Sequence, residues 1–426
     1  MPLRQRQEIQ VVLWGEAMMA YREKLSQLAA NCHTELTEHI LPFWMRLLDD
    51  RGGFYGQMTH DLAVHTDAPK GVILHARILW TFSSAYLTEK NLSYLATAKH
   101  AYDFLCRAED TERGGVFWSL NAECNPCETN KYTYCMAFVI YGLSLYAEAS
   151  GTRDALDYAM RLFRVIEQYA AQPNGYLESF YADWSPLEND HLSEHDLDAA
   201  KTMNTTLHLI EAYAELYRIT KDVAVGKSLK ALLRLMAERI YDPQNNMLRV
   251  FFDAHLNVLG DLHSYGHDIE ASWLTDHACD CLQDDETTAV LRDIDHHLAL
   301  QIEQLALHEG YLYNERFQTE IDKTRVWWVQ AESVIGFLNA AEYAARHSEQ
   351  MVCERMIDNA VAVYANIAAQ QIDRRDGGEW FAELEPDGTP RPANDVAGPW
   401  KCPYHNGRMC MEVVRRVGVL CDLIAM

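Results

Sequence analysis

Apolar residues recur along most of this chain at helical rather than strand spacing. From Thr205 to Tyr217, Leu209, Ala212, Tyr213 and Leu216 fall on one face with Glu211 and Glu215 opposite, the pattern of an amphipathic helix. The stretches Leu229 to Ile240 and Val352 to Ala369 read the same way. Between the helices one signal returns: a Gly or Asn turn followed at once by aromatic and apolar residues. It occurs at Gly52-Gly53-Phe54-Tyr55, Gly114-Gly115-Val116-Phe117-Trp118 and Asn174-Gly175-Tyr176-Leu177. It returns at Asn245-Asn246-Met247-Leu248, Glu309-Gly310-Tyr311-Leu312 and Gly377-Gly378-Glu379-Trp380-Phe381. The interval is roughly 60 to 70 residues, room for two helices and their loops. Gly and Asn at these places fit helix ends, where a positive φ is needed. The Phe, Tyr, Trp and Val that follow suit a short strand or hairpin.

Six helix pairs without a fixed linker predict a closed ring. An open solenoid would need polar capping repeats at its ends, and none is evident. The expected fold is therefore all-α, an (α/α)6 barrel with short hairpin strands in the loops. One domain spans 1–426, with 1–24 as an N-terminal extension.

Composition narrows the partners. The chain has 426 residues, 49% of them hydrophobic, enough for a large core. A net charge of −25 excludes nucleic acid, because no basic stripe exists to displace counterions from phosphates. It also opposes an anionic membrane surface, and leaves a neutral ligand unopposed. No run is long enough to span a bilayer, and the basic N-terminal residues Arg4 and Arg6 are not followed by a secretory apolar stretch, since Glu16 and Arg22 interrupt it. The eleven cysteines form no framework. Cys124 and Cys127 have zinc-knuckle spacing without the second pair, so free thiols in a reducing, cytoplasmic setting are expected.

About 20 to 30 residues after each turn comes a polar cluster at the start of a predicted helix. The clusters are Lys70 to Trp80 (with His75 and Arg77), Lys131 to Tyr134, Lys201 to His208 (with Asn204), Tyr265 to Trp273 (with His267 and Glu270), Val326 to Glu332 (with Trp327 and Trp328) and Gly398 to Arg408 (with Trp400, Tyr404 and His405). In a closed ring, equivalent positions converge at one end of the axis and line one pocket.

These six clusters, in this order, resemble the N-acylglucosamine 2-epimerase superfamily, most closely its cellobiose 2-epimerase branch, from about Leu25 to the C-terminus. The resemblance implies an (α/α)6 barrel and epimerisation at carbon 2 of a reducing aldose, without metal or cofactor. It implies catalytic histidines at His208, His267 and His405. Sugar contacts are implied at Arg77, Tyr134, Asn204, Glu270, Trp273, Trp328, Glu332 and Trp400. The substrate implied is a neutral mono- or disaccharide, foremost the reducing end of cellobiose or a related β-1,4-disaccharide. One departure bears on substrate choice: the branch pattern Asn-Thr-His-Leu-His has Thr206 in the place of its first histidine.

The reaction explains the residue types. Ring opening gives an aldehyde, which makes the C2 proton acidic; a base removes it, an enediolate forms, and an acid returns a proton to the opposite face. An imidazole of pKa near 6.5 suits both tasks. His267 and His405 are expected as that pair, with His208 assisting ring opening or holding the C1 oxygen. Arg77 would stabilise the oxyanion. Glu270, one helical turn after His267, would orient that imidazole. Trp273, Trp328 and Trp400 offer flat faces for a pyranose ring.

Plainer readings stand beside these. Among 18 histidines, His296, His297 and His347 read as surface or hydrogen-bonded residues. Trp80 and Trp118 read as core, Trp327 as facing away from Trp328, and Asp284 to Glu286 as a solvated face. His267-Asp-Ile-Glu270 lacks the second Glu-x-x-His pair of a carboxylate-bridged metal site. Rival functions are a 2-epimerase or aldose–ketose isomerase of free mannose and glucose, a glycoside hydrolase using Glu270 and Glu332, and a non-catalytic sugar binder. The loop Asp183 to Ala200 is the expected rim limiting substrate size; oligomeric state is not legible.

Overall fold

Helices of two kinds alternate along the chain, and they differ in what their side chains meet. The computed structural model describes residues 20–188 and 197–424. In chain order the helices are α1 (20–34, continuing through a π-turn, Glu35–Ile40, into Leu41–Met45), α2 (Val72–Glu89), α3 (Leu92–Ala108), α4 (Thr133–Ser150), α5 (Arg153–Tyr169) and α6 (Met203–Thr220). They continue as α7 (Val223–Leu235), α8 (Tyr265–Leu282), α9 (Asp285–Leu305), α10 (Trp327–Arg346), α11 (Gln350–Asn366) and α12 (Tyr404–Leu423). The stretches predicted within 205–217, 229–240 and 352–369 fall in α6, in α7 with its π-turn Met236–Ile240, and in α11 with its π-turn Ile367–Gln371.

The even-numbered helices form the inner ring. Helix α4 is buried without a break from Thr133 to Ala147, as a helix packed on all sides must be. Helix α5, in the outer ring, buries only Ala155, Tyr158, Ala159, Leu162, Phe163 and Ile166, one stripe at helical spacing. Inner neighbours pack in sequence around the axis, and α12 packs against α2 to close the circle, giving the (α/α)6 barrel. The amphipathic pattern that sets Glu211 and Glu215 opposite the apolar face does not bring them to solvent, for this reason. Both are buried, because α6 is an inner helix with no water side.

Two kinds of joint link the helices. Inner runs into outer through a left-handed residue and a capping residue. Lys90, Gly151, Lys221 and Gln283 have φ of 56°, 72°, 51° and 58°. After three of these, Asn91, Asp222 and Asp284 cap the next helix through their side chains. The Gly and Asn turns read from the sequence as helix ends lie elsewhere, at tips of short hairpins beyond the outer helices. Ala171–Gln172 pairs with Gly175–Tyr176, Tyr241–Asp242 with Met247–Leu248, and Leu307–His308 with Tyr311–Leu312. Single bridges Leu48–Phe54, Glu109–Val116 and Ile372–Trp380 complete the set. At Gly53 (φ 67°) a Cβ would lie 2.5 Å from His75 Nε2 and 2.6 Å from the Phe104 ring, so no side chain fits.

The segment before each inner helix pairs with the next repeat. Lys70–Gly71 joins Ser119–Leu120, Lys131–Tyr132 joins Ser179–Phe180, and Lys201–Thr202 joins Phe251–Phe252. Leu262–Ser264 joins Glu315–Phe317, Arg325–Val326 joins Glu383–Leu384, and a Met58–Ala397 bridge closes the rim. Buried cations lock this rim to the hairpins: Lys70 on Asp49 at 2.8 Å, Lys131 on Asp110 at 2.7 Å, and Lys401 on Glu379. The rim therefore fixes where each inner helix begins.

Of the expected N-terminal extension, residues 1–19 lie outside the described residues, and 20–24 are already the first turns of α1. Part of the expected size-limiting loop, 189–196, also lies outside them. Among the described residues no helix is long and apolar enough to cross a membrane.

Candidate active site

The polar clusters occupy the first turns of the inner helices, and the rim brings those turns together. A cavity of about 510 Å³ lies there, within the range of roughly 300–1,000 Å³ common for small-molecule sites. Arg77, Tyr134, Asn204, His208, His267, Glu270, Trp328, Trp400 and His405 all line it. Trp273 and Glu332 do not; both are buried just behind the wall, the Trp273 Nε1–H donating to Glu332 at 3.0 Å. Trp327, read as turned away, lines the cavity beside Trp328, and its ring meets that of His405 edge-on at 6.2 Å.

Each histidine is held through Nδ1. His208 Nδ1 lies 2.9 Å from Glu211, His267 Nδ1 lies 2.7 Å from the Ser264 hydroxyl, and His405 Nδ1 lies 2.7 Å from Glu332. Nε2 of each ring is thus the nitrogen left for a ligand. Burial pushes the His267 imidazole down to about 3. Burial, with the positive charges of Arg408 and Arg77, holds His405 well below its ordinary value. Both rings are neutral near pH 7. The expected partnership of Glu270 with His267 is not formed; Ser264, at the end of the rim strand, orients that ring instead.

Glu270 and Glu332 turn to Arg408, which the sequence placed in a motif without giving it a role. Its guanidinium donates to Glu270 at 2.6 Å, to Glu332 at 2.7 Å, and to Glu211 and the Tyr404 hydroxyl. It lies 4.1 Å above the Tyr404 ring and 4.7 Å from that of Trp273. Arg408 thus ties the carboxylate behind His208 to the one behind His405. Burial, then repulsion from Glu332, raises the Glu270 carboxyl to about 7. Ligand atoms of Glu270, Glu332 and His405 converge closely enough for a metal ion, but the guanidinium already engages both carboxylates. Arg408 and Glu211 carried a readable signal: each lies three residues after a catalytic-candidate histidine, the spacing noticed only at His267 and Glu270.

On the cavity wall Arg77 donates to the Tyr134 hydroxyl at 2.8 Å and to the Trp400 carbonyl at 3.4 Å, and its guanidinium lies 4.1 Å over Phe138. Its Nε, and Asn204 Oδ1 nearby on the wall, have no hydrogen-bond partner in the protein. Trp400 is 36% exposed at the mouth, an open aromatic face. Thr206 donates to the Thr202 carbonyl within its own helix and is absent from the cavity wall.

The sequence model of the N-acylglucosamine 2-epimerase (GlcNAc 2-epimerase) family matches residues 53–407. A cellobiose 2-epimerase of Ruminococcus albus is 49% identical over 391 residues, 91% of this chain and 99% of its own. A crystal structure of a sugar epimerase from a ruminal bacterium superposes with a TM-score of 0.89 at 48% identity, covering 91% of this chain and 98% of that one. A D-mannose isomerase, 18% identical, shares the fold with a TM-score of 0.74 over 94% and 97% of the two chains.

Proposed function

The chain belongs to the N-acylglucosamine 2-epimerase family, and on that premise we propose that it inverts carbon 2 of the reducing glucose unit of cellobiose or a related β-1,4-disaccharide. One observation carries the reading: three imidazoles from three inner helices face one cavity, each anchored through Nδ1. His405 and His267 act as the proton-transfer pair. The neutral ring of one takes the C2 proton of the opened sugar through Nε2, and the imidazolium so formed is balanced, for His405, by Glu332 and by Glu270 at 4.0 Å. The other, made cationic by a solvent proton drawn to it as the enediolate forms, delivers its Nε2 proton to the opposite face and is neutral again, while the first ring gives its proton to solvent. His208 transfers the proton that opens the ring. Arg77 and Tyr134 receive the oxyanion, while Trp328 and Trp400 flank the pyranose rings. Arg408, with Glu211, Glu332 and Trp273, holds the histidines in place and does not touch substrate.

A hydrolase reading would require Glu270 and Glu332 on either side of a glycosidic bond. Both are bonded to one nitrogen of Arg408, and Glu332 lies off the cavity, which favours the epimerase. All eleven cysteines are free thiols, which supports a reducing, cytoplasmic setting. The test offers cellobiose, mannose, glucose and N-acetylglucosamine in D2O and follows carbon 2 by NMR. Glucosyl-mannose carrying deuterium at C2 is the expected product from cellobiose. Free glucose would mean hydrolysis, and absence of exchange with every sugar would leave only a binding protein.

A further inference from the structure

Toward the other end of the inner ring, about 15 Å along α8 from His267, three side chains of different chemistry converge. His277 and Cys281 are four residues apart and share one face of α8, and Glu215 reaches them from α6. His277 Nε2 lies 2.8 Å from Glu215 Oε1 and 3.7 Å from Cys281 Sγ, and the three atoms all lie within 4.8 Å of one another. Glu215 and Cys281 are buried; the His277 side chain is 36% exposed and opens the cluster to solvent.

Hydrogen bonds do not use this geometry fully. One imidazole nitrogen carries either a proton or a lone pair. If Nε2–H donates to Glu215, the sulfur faces a bond already made. If Nε2 accepts from the thiol, the carboxylate faces a lone pair. A cation at the centre is bonded by all three. A 3.7 Å separation of nitrogen and sulfur suits a tetrahedral ion with bonds of about 2.0–2.1 Å to nitrogen and about 2.3 Å to sulfur, while the hydrogen-bonded Nε2 and Oε1 must part from 2.8 Å to about 3.3 Å as the ion enters. The second carboxylate oxygen, Oε2, is already held by Arg218 at 2.9 Å through both Nε and Nη2. That arrangement leaves Oε1 for the ion and orients it, as outer partners of metal ligands do. Arg218 is in turn paired with Glu148, and the nearby Lys221 points to the Cys281 carbonyl at 3.5 Å.

We propose that Glu215, His277 and Cys281 form a site for a zinc-class divalent cation, with water as fourth ligand, bridging α6 to α8. A thiolate, an imidazole and one carboxylate select a borderline-soft ion over magnesium or calcium. Binding requires the Cys281 thiol to lose its proton and His277 to be neutral, so protons are released as the ion enters. The site is separate from the catalytic cluster and stands whether or not the proposed reaction does.

The test uses the full chain, freed of metal by chelation and titrated with Co2+ and then with Zn2+. The expected result is one equivalent of Co2+ giving tetrahedral visible bands with a thiolate charge-transfer absorption, both displaced by Zn2+. Cys281→Ser should lose the thiolate absorption. His277→Gln should weaken binding by at least the roughly 10- to 100-fold that losing an outer partner costs. Circular dichroism and retained C2 exchange show that the variants fold. A spectrum without the thiolate absorption, as at the Glu270–Glu332–His405 cluster, or one unchanged in Cys281→Ser, overturns the assignment.

Discussion

Two buried arginines lie 5.2 Å (Arg77) and 4.1 Å (Arg408) from the ring of Tyr404, and their surroundings are opposite. Arg77 is 3% exposed and Arg408 1%, and each lies 4.1 Å over an aromatic ring. Arg408 is bonded to three carboxylates. Arg77 has the Tyr134 hydroxyl, the Trp400 carbonyl and the Cys402 thiol as partners, and among the described residues no carboxylate lies within ion-pair distance of it, Glu270 acting on it only from farther off. A buried charge with no carboxylate in contact is costly. Folding tolerates that at a place where the ligand develops the negative charge, as an enediolate does. On the proposed reading the same residue type serves as scaffold at Arg408 and as oxyanion site at Arg77, and the carboxylate count separates them.

His405, which shares Glu332 with Arg408, should show the largest effect. His405→Asn removes the ring that Glu332 holds, and C2 deuterium exchange should fall by roughly 100- to 10,000-fold, the usual range for a lost acid–base group. Exchange within tenfold of the original protein would remove His405 from the proton-transfer pair. The arginines should then part company. Arg408→Met strands three buried carboxylates, and urea denaturation should record a loss of about 3–5 kcal/mol, typical for breaking a buried ion pair from one side. Arg77→Met strands none. Its denaturation midpoint should barely move while kcat falls roughly 100- to 1,000-fold, as when one oxyanion donor is deleted. Equal stability losses in the two variants would erase the distinction.

Much of this was legible in the sequence, and the misses have physical causes. The repeat period gave the ring, and the clusters at Arg77, Asn204–His208, His267 and His405 fall on the cavity because each begins an inner helix. Helical periodicity alone does not show what Glu211 and Glu215 meet, because a polar stripe on an inner helix faces buried partners rather than water. The turn glycines were read as helix caps, since a positive φ serves a hairpin tip equally well. The pairing of Glu270 was also missed. Spacing within one helix suggested His267, but Arg408 arrives from α12, 138 positions away in the chain. The Trp327 error is of the same kind: adjacent residues diverge on an isolated helix, yet a cavity wide enough receives both.

The smallest effect tests which group titrates near neutrality. An acid limb near pH 7 in an enzyme with three candidate histidines would ordinarily be assigned to one of them. Here burial sets His267 at about 3 and holds His405 well below its ordinary value, so neither changes charge between pH 6 and 8. Glu270, raised to about 7 by burial and by Glu332, does. Above that pH it is ionised, and its charge, 4.0 Å from His405 Nδ1, stabilises the imidazolium formed when C2 is deprotonated. Below it the carboxyl is neutral and that support is lost. The sign follows: kcat/KM should rise with pH through about 7, by roughly tenfold at most. In Glu270→Gln the limb should disappear, leaving a flat profile at the lower level, because the amide cannot ionise and His267 and His405 titrate only at lower pH. A limb that persists at the same pH in Glu270→Gln would mean that another group titrates there, and Glu270 would lose its place as the group that sets the profile.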